Sequence, residues 1–174
     1  EEGLNDNASP TTEQINVLIE NFTRAKVYFG KRAVWDVVKV FTAAEALLDA
    51  YKKTNNFNKK DMITNTLMKV DSNVKTYIHA ASSNGNNNII QTTIVALKDD
   101  PEFLHKLLMA TDKSGDTFLH VIGLSVSSDI IKTTINAFID DPEFLNKLLM
   151  ATNKSGHTFL HYHSIYSVDS DIIK

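Results

Sequence analysis

Apolar residues recur at helical spacing through most of the chain. They occupy positions i, i+1, i+4 and i+5 behind Asp100-Pro101 and again behind Asp141-Pro142, which predicts two short amphipathic helices. Aspartate is a favoured N-cap, and proline at the first helical position has no amide to leave unbonded, so both helices have clear start signals. The apolar stripes that we assign to the core are Phe103, Leu104, Leu107 and Leu108 in the first helix and Phe144, Leu145, Leu148 and Leu149 in the second.

Two longer amphipathic helices are predicted upstream. Thr11 and Gln14 form a capping box ahead of a stripe that includes Ile15, Leu18, Ile19, Phe22 and Phe29. A second stripe consists of Val34, Val37, Val38, Phe41, Leu48 and Tyr51. The single tryptophan, Trp35, is assigned to packing in the N-terminal cap that these helices form, with partner contact as the alternative because tryptophan is enriched at interfaces.

The second half of the chain contains an internal repeat. Residues 99–120 and 140–161 differ only at 105/146, 112/153 and 116/157, and 140 − 99 gives a period of 41 residues. A diverged copy of the segment that starts at Asp112 begins 41 residues earlier, at Asp71. Each unit is predicted to hold three helices and a tight turn: one behind Asp-Pro, one from Ile130 to Phe138 behind a polar cap, and a short one that starts at Thr117 or Thr158.

Within each unit, the turn and the start of the short helix carry a motif. Asp112-Lys113-Ser114-Gly115-Asp116-Thr117-Phe118-Leu119-His120 resembles the ankyrin-repeat motif, in which Asp, a turn Gly and Thr-Pro-Leu-His follow at this spacing, and Asn153 to His161 repeats it. The resemblance implies that Gly closes the turn with a positive φ, that Thr caps the next helix and that a buried His links neighbouring loops.

The motif also departs from the family pattern. Phe118, Phe159 or Tyr77 replaces the family's Pro, Val74 replaces the turn Gly, and the period exceeds the usual length of about 33 residues. Armadillo-type repeats are the competing architecture, since three helices in about 40 to 47 residues fit the period better. They do not account for the Gly-x-Thr-x-Leu-His motif.

We therefore predict an all-α fold, an ankyrin-like helical repeat solenoid with an N-terminal helical cap. Residues 1–10 are predicted to be a flexible tail, 11–57 the cap and 58–174 the repeats, with a polar loop over 52–60 leading into them. Because the chain stops inside a repeat, we expect the array to be truncated at its C-terminus.

Composition narrows the function classes. The chain has 174 residues, 18 basic and 21 acidic side chains and a net charge of −3, so nucleic acid lacks its usual basic footprint. It has no cysteine, which excludes disulfides and thiolate chemistry, and no apolar run long enough to span a membrane. We expect a cytoplasmic protein. Abundant Asn, Lys and Ile indicate an A/T-rich genome, and ankyrin-like arrays are frequent among effectors of intracellular bacteria, for which the compartment would be the host cytosol.

The candidates for chemistry have structural explanations. His157, His161 and His163 could share a metal ion, but His161 occupies the repeat's structural His position and no carboxylate completes the set. The acidic pairs Asp99-Asp100 and Asp140-Asp141 are explained as caps, and Ser114 and Ser155 have no general base at defined spacing. We expect no catalysis, no cofactor and no small-molecule substrate.

The remaining function is protein binding. In the ankyrin family the variable contact positions flank the turn and end the first helix. Carried over to this sequence, they are Lys113, Ser114, Asp116, Leu124, Ser125, Lys154, Ser155, His157, Ile165 and Tyr166, with Ser72, Asn73, Lys75, Ser83 and Asn84 in the diverged unit. An adaptor or scaffold module is the first hypothesis. The alternatives are a non-catalytic targeting arm of a larger enzyme and a self-association module.

Overall fold

A computed structural model describes residues 8–122 and 127–161. This part of the chain is mostly helical, as predicted, and it also contains a two-stranded antiparallel hairpin. The elements are α1 (Thr12–Thr23), β1 (Lys26–Phe29), β2 (Arg32–Trp35), α2 (Val37–Lys53), α3 (Phe57–Leu67), α4 (Tyr77–Ser83), α5 (Asn87–Leu97), α6 (Pro101–Leu108), α7 (Ser127–Ala137) and α8 (Pro142–Leu149).

The capping box predicted for α1 is confirmed. The Thr11 hydroxyl accepts from the Gln14 backbone N–H at 3.1 Å, and the Gln14 side chain accepts from the Thr11 N–H at 2.8 Å. These two bonds satisfy donors that a helix start otherwise leaves open. Ile15 and Phe22 face the core, and the helix ends at Thr23.

The sequence did not predict the hairpin that follows. Lys26 pairs with Trp35 and Phe29 with Arg32, and Gly30 takes a φ of 65° in the turn between the strands. Phe29 and Val34, which we assigned to helical stripes, lie on β1 and β2 instead. The signal was present: a Gly-x pair between two runs of β-branched and aromatic residues is typical of a hairpin.

The polar loop predicted over 52–60 is wrong. Helix α2 continues to Lys53, and the Asn56 side chain accepts from the Lys59 N–H at 2.9 Å to cap α3. Helix α3 ends at Leu67, 41 residues before the end of α6 at Leu108. It therefore occupies in the first unit the place that α6 and α8 occupy in the next two, even though its sequence has diverged.

Within residues 58–122 and 127–161, the helices predicted inside the repeats are confirmed with one exception. Asp100 and Asp141 each accept from a backbone N–H at 3.3 Å at the start of α6 and α8, and α7 spans Ser127–Ala137. Thr76 caps α4, but residues 118–121 form hydrogen-bonded turns where a helix was expected behind Thr117. The β-branched pair and glycine at 121–123 are poorer helix formers than Ala80 and Ala81 of the first unit.

Helix α2 lies at the centre of the packing. It contacts α1, α3, α4 and α5, and α5 in turn contacts α7, so a continuous apolar core runs from the N-terminal segment into the repeats. The Tyr51 hydroxyl of α2 donates to the Asp100 carboxylate at 2.9 Å and ties α2 to the start of α6. Burial, with the neighbouring Asp100 carboxylate, raises the pKa of Tyr51 to about 12, which keeps this hydroxyl a donor.

Candidate functional site

Three turns of the same construction lie side by side, and we call them the stacked turns: turn 1 is residues 71–75, turn 2 is 112–116 and turn 3 is 153–157. In turn 2 the Asp112 carboxylate accepts from the backbone N–H groups of Ser114 and Asp116 at 2.9 and 3.0 Å. Asp71 and Asn153 make the equivalent bonds in the other two turns. Asp and Asn are therefore required at the first position because their side chains close the loop on its own backbone.

The fourth residue of each turn has a left-handed backbone. Gly115 and Gly156 have φ values of 77° and 80°, as the resemblance implied. Val74 takes the same conformation with a φ of 60°, although a β-branched residue is strained there. The turn geometry therefore persists in the first unit without its glycine.

Backbone hydrogen bonds join each turn to the next. The Lys113 N–H donates to the Asn73 carbonyl at 3.1 Å, and the Lys154 N–H donates to the Ser114 carbonyl at 3.0 Å. The two donors are 41 residues apart and so are the two acceptors, which means that the same hydrogen bond is repeated with the period of the sequence. These bonds hold the backbones of adjacent turns in the same register along the stacked turns.

The repeat histidines make a second set of bonds between turns. His79 Nδ1 accepts from the Thr76 N–H at 3.2 Å, and its Nε2 lies 2.8 Å from the Asp116 carbonyl oxygen. A backbone N–H can only donate and a carbonyl can only accept, so the neutral ring carries its proton on Nε2. His120 repeats the arrangement with Thr117 and the carbonyl of His157, which is the bridging role expected from the motif. Burial lowers the pKa of His79, so the neutral form is favoured.

The hairpin takes the place of a further turn before turn 1. The Ser72 N–H donates to the Ala33 carbonyl at 2.9 Å, and the Ala33 N–H donates to the Ser72 hydroxyl at 2.7 Å. The Trp35 indole N–H donates to the Lys75 carbonyl at 2.7 Å. Trp35 is also buried against Phe22, so its predicted packing role is confirmed.

Side chains between turns differ from one interface to the next. Lys75 Nζ lies 2.7 Å from Asp112 Oδ2 between turns 1 and 2, and Asn153 Nδ2 donates to Asp116 Oδ1 at 2.9 Å between turns 2 and 3. Burial acts to raise the pKa of Asp112, but the bond from Lys75 and the backbone donors outweigh it and lower that pKa. Turn 2 has Asp112 opposite Lys75, and turn 3 has Asn153 opposite Asp116. The amide at 153 suits its partner, because an aspartate there would face the carboxylate of Asp116.

The structure brings together some of the predicted contact residues. The side chains of Lys113, Ser114, Lys154 and Ser155 are exposed at equivalent positions of turns 2 and 3. Asp116 and His157 are half-buried, and their backbone and side-chain groups bond within the row. The remaining predicted contacts, Leu124, Ser125, Ile165 and Tyr166, lie outside the described residues.

The equivalent residues of the diverged unit are less available. Ser72, Asn73 and Lys75 are half-buried and bonded to the hairpin or to turn 2. Ser83 and Asn84 are exposed, and the Ser83 hydroxyl donates to the Val121 carbonyl at 3.2 Å. The exposed part of the candidate surface therefore centres on turns 2 and 3.

The candidates for chemistry have structural contacts. The rings of His157 and His161 stack with centroids 3.7 Å apart, and His163 lies outside the described residues. Within residues 8–122 and 127–161, no group of three or more His, Asp or Glu side chains is arranged to hold a metal ion. The carboxylates of Asp100 and Asp141 cap helices, and the backbone N–H groups of Ser114 and Ser155 close turns.

No helix in the described part of the chain combines the length and apolar character needed to cross a membrane. Comparison of the sequence with protein-family models and with curated proteins, and a comparison with solved structures, finds no match.

Proposed function

We propose that this chain is an ankyrin-like helical repeat solenoid that acts as a protein-binding module, with no catalytic centre of its own. One observation carries the proposal: exposed side chains at equivalent positions sit on turns whose backbones are locked to one another by hydrogen bonds. A partner that docks on such a row orders little of the chain, so little conformational entropy is lost on binding.

The exposed side chains of the stacked turns indicate the chemical character of the partner's surface. Lys113 and Lys154 occupy the same position in adjacent turns, and Ser114 and Ser155 follow them. Two ammonium groups beside two hydroxyls favour a partner segment with carboxylates and hydrogen-bond acceptors. We therefore propose an acidic stretch of another protein as the ligand.

Site-specific photo-crosslinking tests the proposal. A photoreactive phenylalanine analogue at position 114 or 155 is expected to crosslink to the same protein in both cases, and the analogue at Lys98 or Lys147 serves as the matched control. Lys98 and Lys147 are also exposed, but they lie at the end of α5 and within α8.

Charge reversal provides the second measurement. Lys113→Glu with Lys154→Glu should reduce affinity for the crosslinked partner by tenfold or more, whereas Lys98→Glu with Lys147→Glu should leave it within twofold. The proposal is overturned if both pairs of positions capture the same proteins, or if the two double variants bind equally well. Asp116 is unsuitable for this test because its side chain holds Asn153.

A further inference from the structure

The turn of the hairpin exposes two aromatic side chains. Tyr28 is 66% exposed and Phe29 is 63% exposed, and they precede the turn glycine Gly30. Lys31 and Arg32, which follow, are exposed as well. We call residues 28–32 the hairpin tip. Two exposed aromatic side chains at one hairpin turn make this end of the hairpin the most apolar part of its surface.

The hairpin is held firmly at its base. Ala33 and Ser72 exchange two hydrogen bonds, and Trp35 donates to the Lys75 carbonyl. On the other strand, Lys26 Nζ donates to the Val70 carbonyl at 3.1 Å and lies 4.8 Å from the centre of the Trp35 ring. The exposure of the tip is therefore a property of a fixed strand pair.

The direction of the two aromatic side chains restricts what can cover them. Tyr28 and Phe29 are consecutive on β1, so their side chains point to opposite faces of the hairpin. A row of stacked bases or a flat protein surface would meet only one of them. A fluid interface closes around a protruding tip and can accept both.

The charged residues of the hairpin sequence are all basic. Residues 24–35 contain Arg24, Lys26, Lys31 and Arg32 and no acidic residue, in a chain whose net charge is −3. Arg24 pairs with Glu20, and Lys26 is engaged at the base, so Lys31 and Arg32 are the cations next to the aromatics. Anionic lipid headgroups attract cations at this position.

We propose that the hairpin tip is a membrane-contacting element that inserts Tyr28 and Phe29 into the interfacial region of an anionic phospholipid surface while Lys31 and Arg32 contact the headgroups. Aromatic side chains are favoured at this depth, and the contact needs no spanning helix. Each cation contributes about fivefold to the partition coefficient and each inserted aromatic about tenfold. This membrane contact is reversible. It does not depend on protein binding at the stacked turns, and the two interactions can occur together.

Vesicle co-sedimentation of the full chain tests the proposal. The protein should bind phosphatidylcholine vesicles that contain phosphatidylserine and should remain unbound with phosphatidylcholine alone. Tyr28→Ser with Phe29→Ser should weaken binding by tenfold or more, as should Lys31→Glu with Arg32→Glu. Since all four side chains are exposed, the thermal unfolding midpoint should remain that of the native protein.

Matched controls lie elsewhere on the surface. Phe57 is 78% exposed at the start of α3, and Phe57→Ser should leave vesicle binding unchanged. Lys98→Glu with Lys147→Glu is the control for charge. The proposal is overturned if the native protein does not bind the anionic vesicles, or if the control variants weaken binding as much as the tip variants. It is also overturned if the tip variants abolish binding of single-stranded RNA or dimerisation while vesicle binding persists.

A fluorescence measurement locates the tip directly. In Phe29→Trp, the new indole should shift its emission to the blue and be quenched by brominated acyl chains when anionic vesicles are added. The native protein is the control because its only tryptophan, Trp35, is buried at the base of the hairpin. Equal quenching in the two proteins, or none in either, contradicts insertion of the tip.

Discussion

The indole N–H of Trp35 donates a hydrogen bond to the carbonyl oxygen of Lys75 at 2.7 Å. That carbonyl has the same position in turn 1 that the carbonyls of Asp116 and His157 have in turns 2 and 3, where they lie 2.8 Å from the Nε2 atoms of His79 and His120. A tryptophan on a β-strand thus makes, at the N-terminal end of the row, the bond that the repeat histidine makes between turns. The hairpin bonds to turn 1 through the Lys75 carbonyl and the Ser72 N–H, and turns 2 and 3 use the equivalent carbonyl and N–H to bond to the unit before them.

Removal of this indole donor should destabilise the protein. Trp35→Phe leaves the Lys75 carbonyl without its donor and removes buried ring volume, so we expect the free energy of unfolding to fall by about 2 kcal/mol. Urea unfolding followed by circular dichroism measures the change. Tyr28→Phe removes an exposed hydroxyl and should have no effect. An unaltered midpoint for Trp35→Phe would show that the bond contributes nothing to stability.

Local signals in the sequence predicted the helix starts and the turns. Thr11, Asp100 and Asp141 act on neighbours three residues away, so their pattern is visible in a short window of sequence. The hairpin was missed because the first helical stripe was extended to Phe29 and the second was started at Val34. The bond between Lys75 and Asp112 was missed because it joins different repeats and depends on how those repeats stack.

Two glycines with the same backbone conformation provide a matched test of the stacking. A Cβ at Gly115 would lie 2.9 Å from the Lys154 backbone nitrogen, whereas a Cβ at Gly156 would meet nothing within 4 Å. Alanine at either position is strained by about 1 kcal/mol because φ is positive. We expect Gly115→Ala to lose at least about 1 kcal/mol more than Gly156→Ala, since the inter-turn bond must also shift. Equal losses in urea unfolding would argue against close stacking of turns 2 and 3.

Restoring the glycine that turn 1 lacks should stabilise the protein. Val74 has a φ of 60° and is 39% exposed, so glycine in its place relieves strain and removes a side chain that is only partly buried. Strain relief of about 1–2 kcal/mol exceeds the extra unfolded-state entropy of glycine, about 0.4–1 kcal/mol, so Val74→Gly should raise the free energy of unfolding by roughly 0.5–1 kcal/mol. Val95→Gly, at an exposed position inside α5, should lower it instead. A loss of stability in Val74→Gly would contradict the strain.

The side-chain pairs between turns should be exchangeable. Asn153→Asp places a carboxylate against Asp116, and we expect a loss of about 1–2 kcal/mol that shrinks at high salt. Adding Asp116→Lys to this variant recreates the Lys75–Asp112 pair between turns 2 and 3 and should recover most of the loss. A double-mutant cycle from urea unfolding measures the coupling. If the two substitutions are additive, the two side chains do not interact in solution.

The buried histidine should make the stacked turns sensitive to acid. His79 Nδ1 accepts from the Thr76 N–H, so protonation of the ring removes that acceptor; Asp112, Asp116 and Lys75 are the charged groups near the ring. Because burial lowers the pKa of His79, the unfolded chain binds the proton first, and the free energy of unfolding should decrease as the pH falls below about 6.5. For the single proton that His79 takes up, the free energy of unfolding can fall by at most about 1.4 kcal/mol per pH unit. The fall ends once the pH is below the folded-state pKa of His79.

The Asp112 carboxylate also makes the protein less stable as the pH falls, but in a lower pH window than His79. Its pKa is lowered in the folded protein, so its contribution is present above about pH 4 and is lost only as the pH falls below that value. Urea unfolding between pH 7 and pH 5 therefore separates the contribution of His79 from that of Asp112. His79→Gln lacks the titrating group, so its stability should decrease less steeply over this range than that of the native protein. Parallel pH profiles for the two proteins would exclude His79 as the acid-sensitive group.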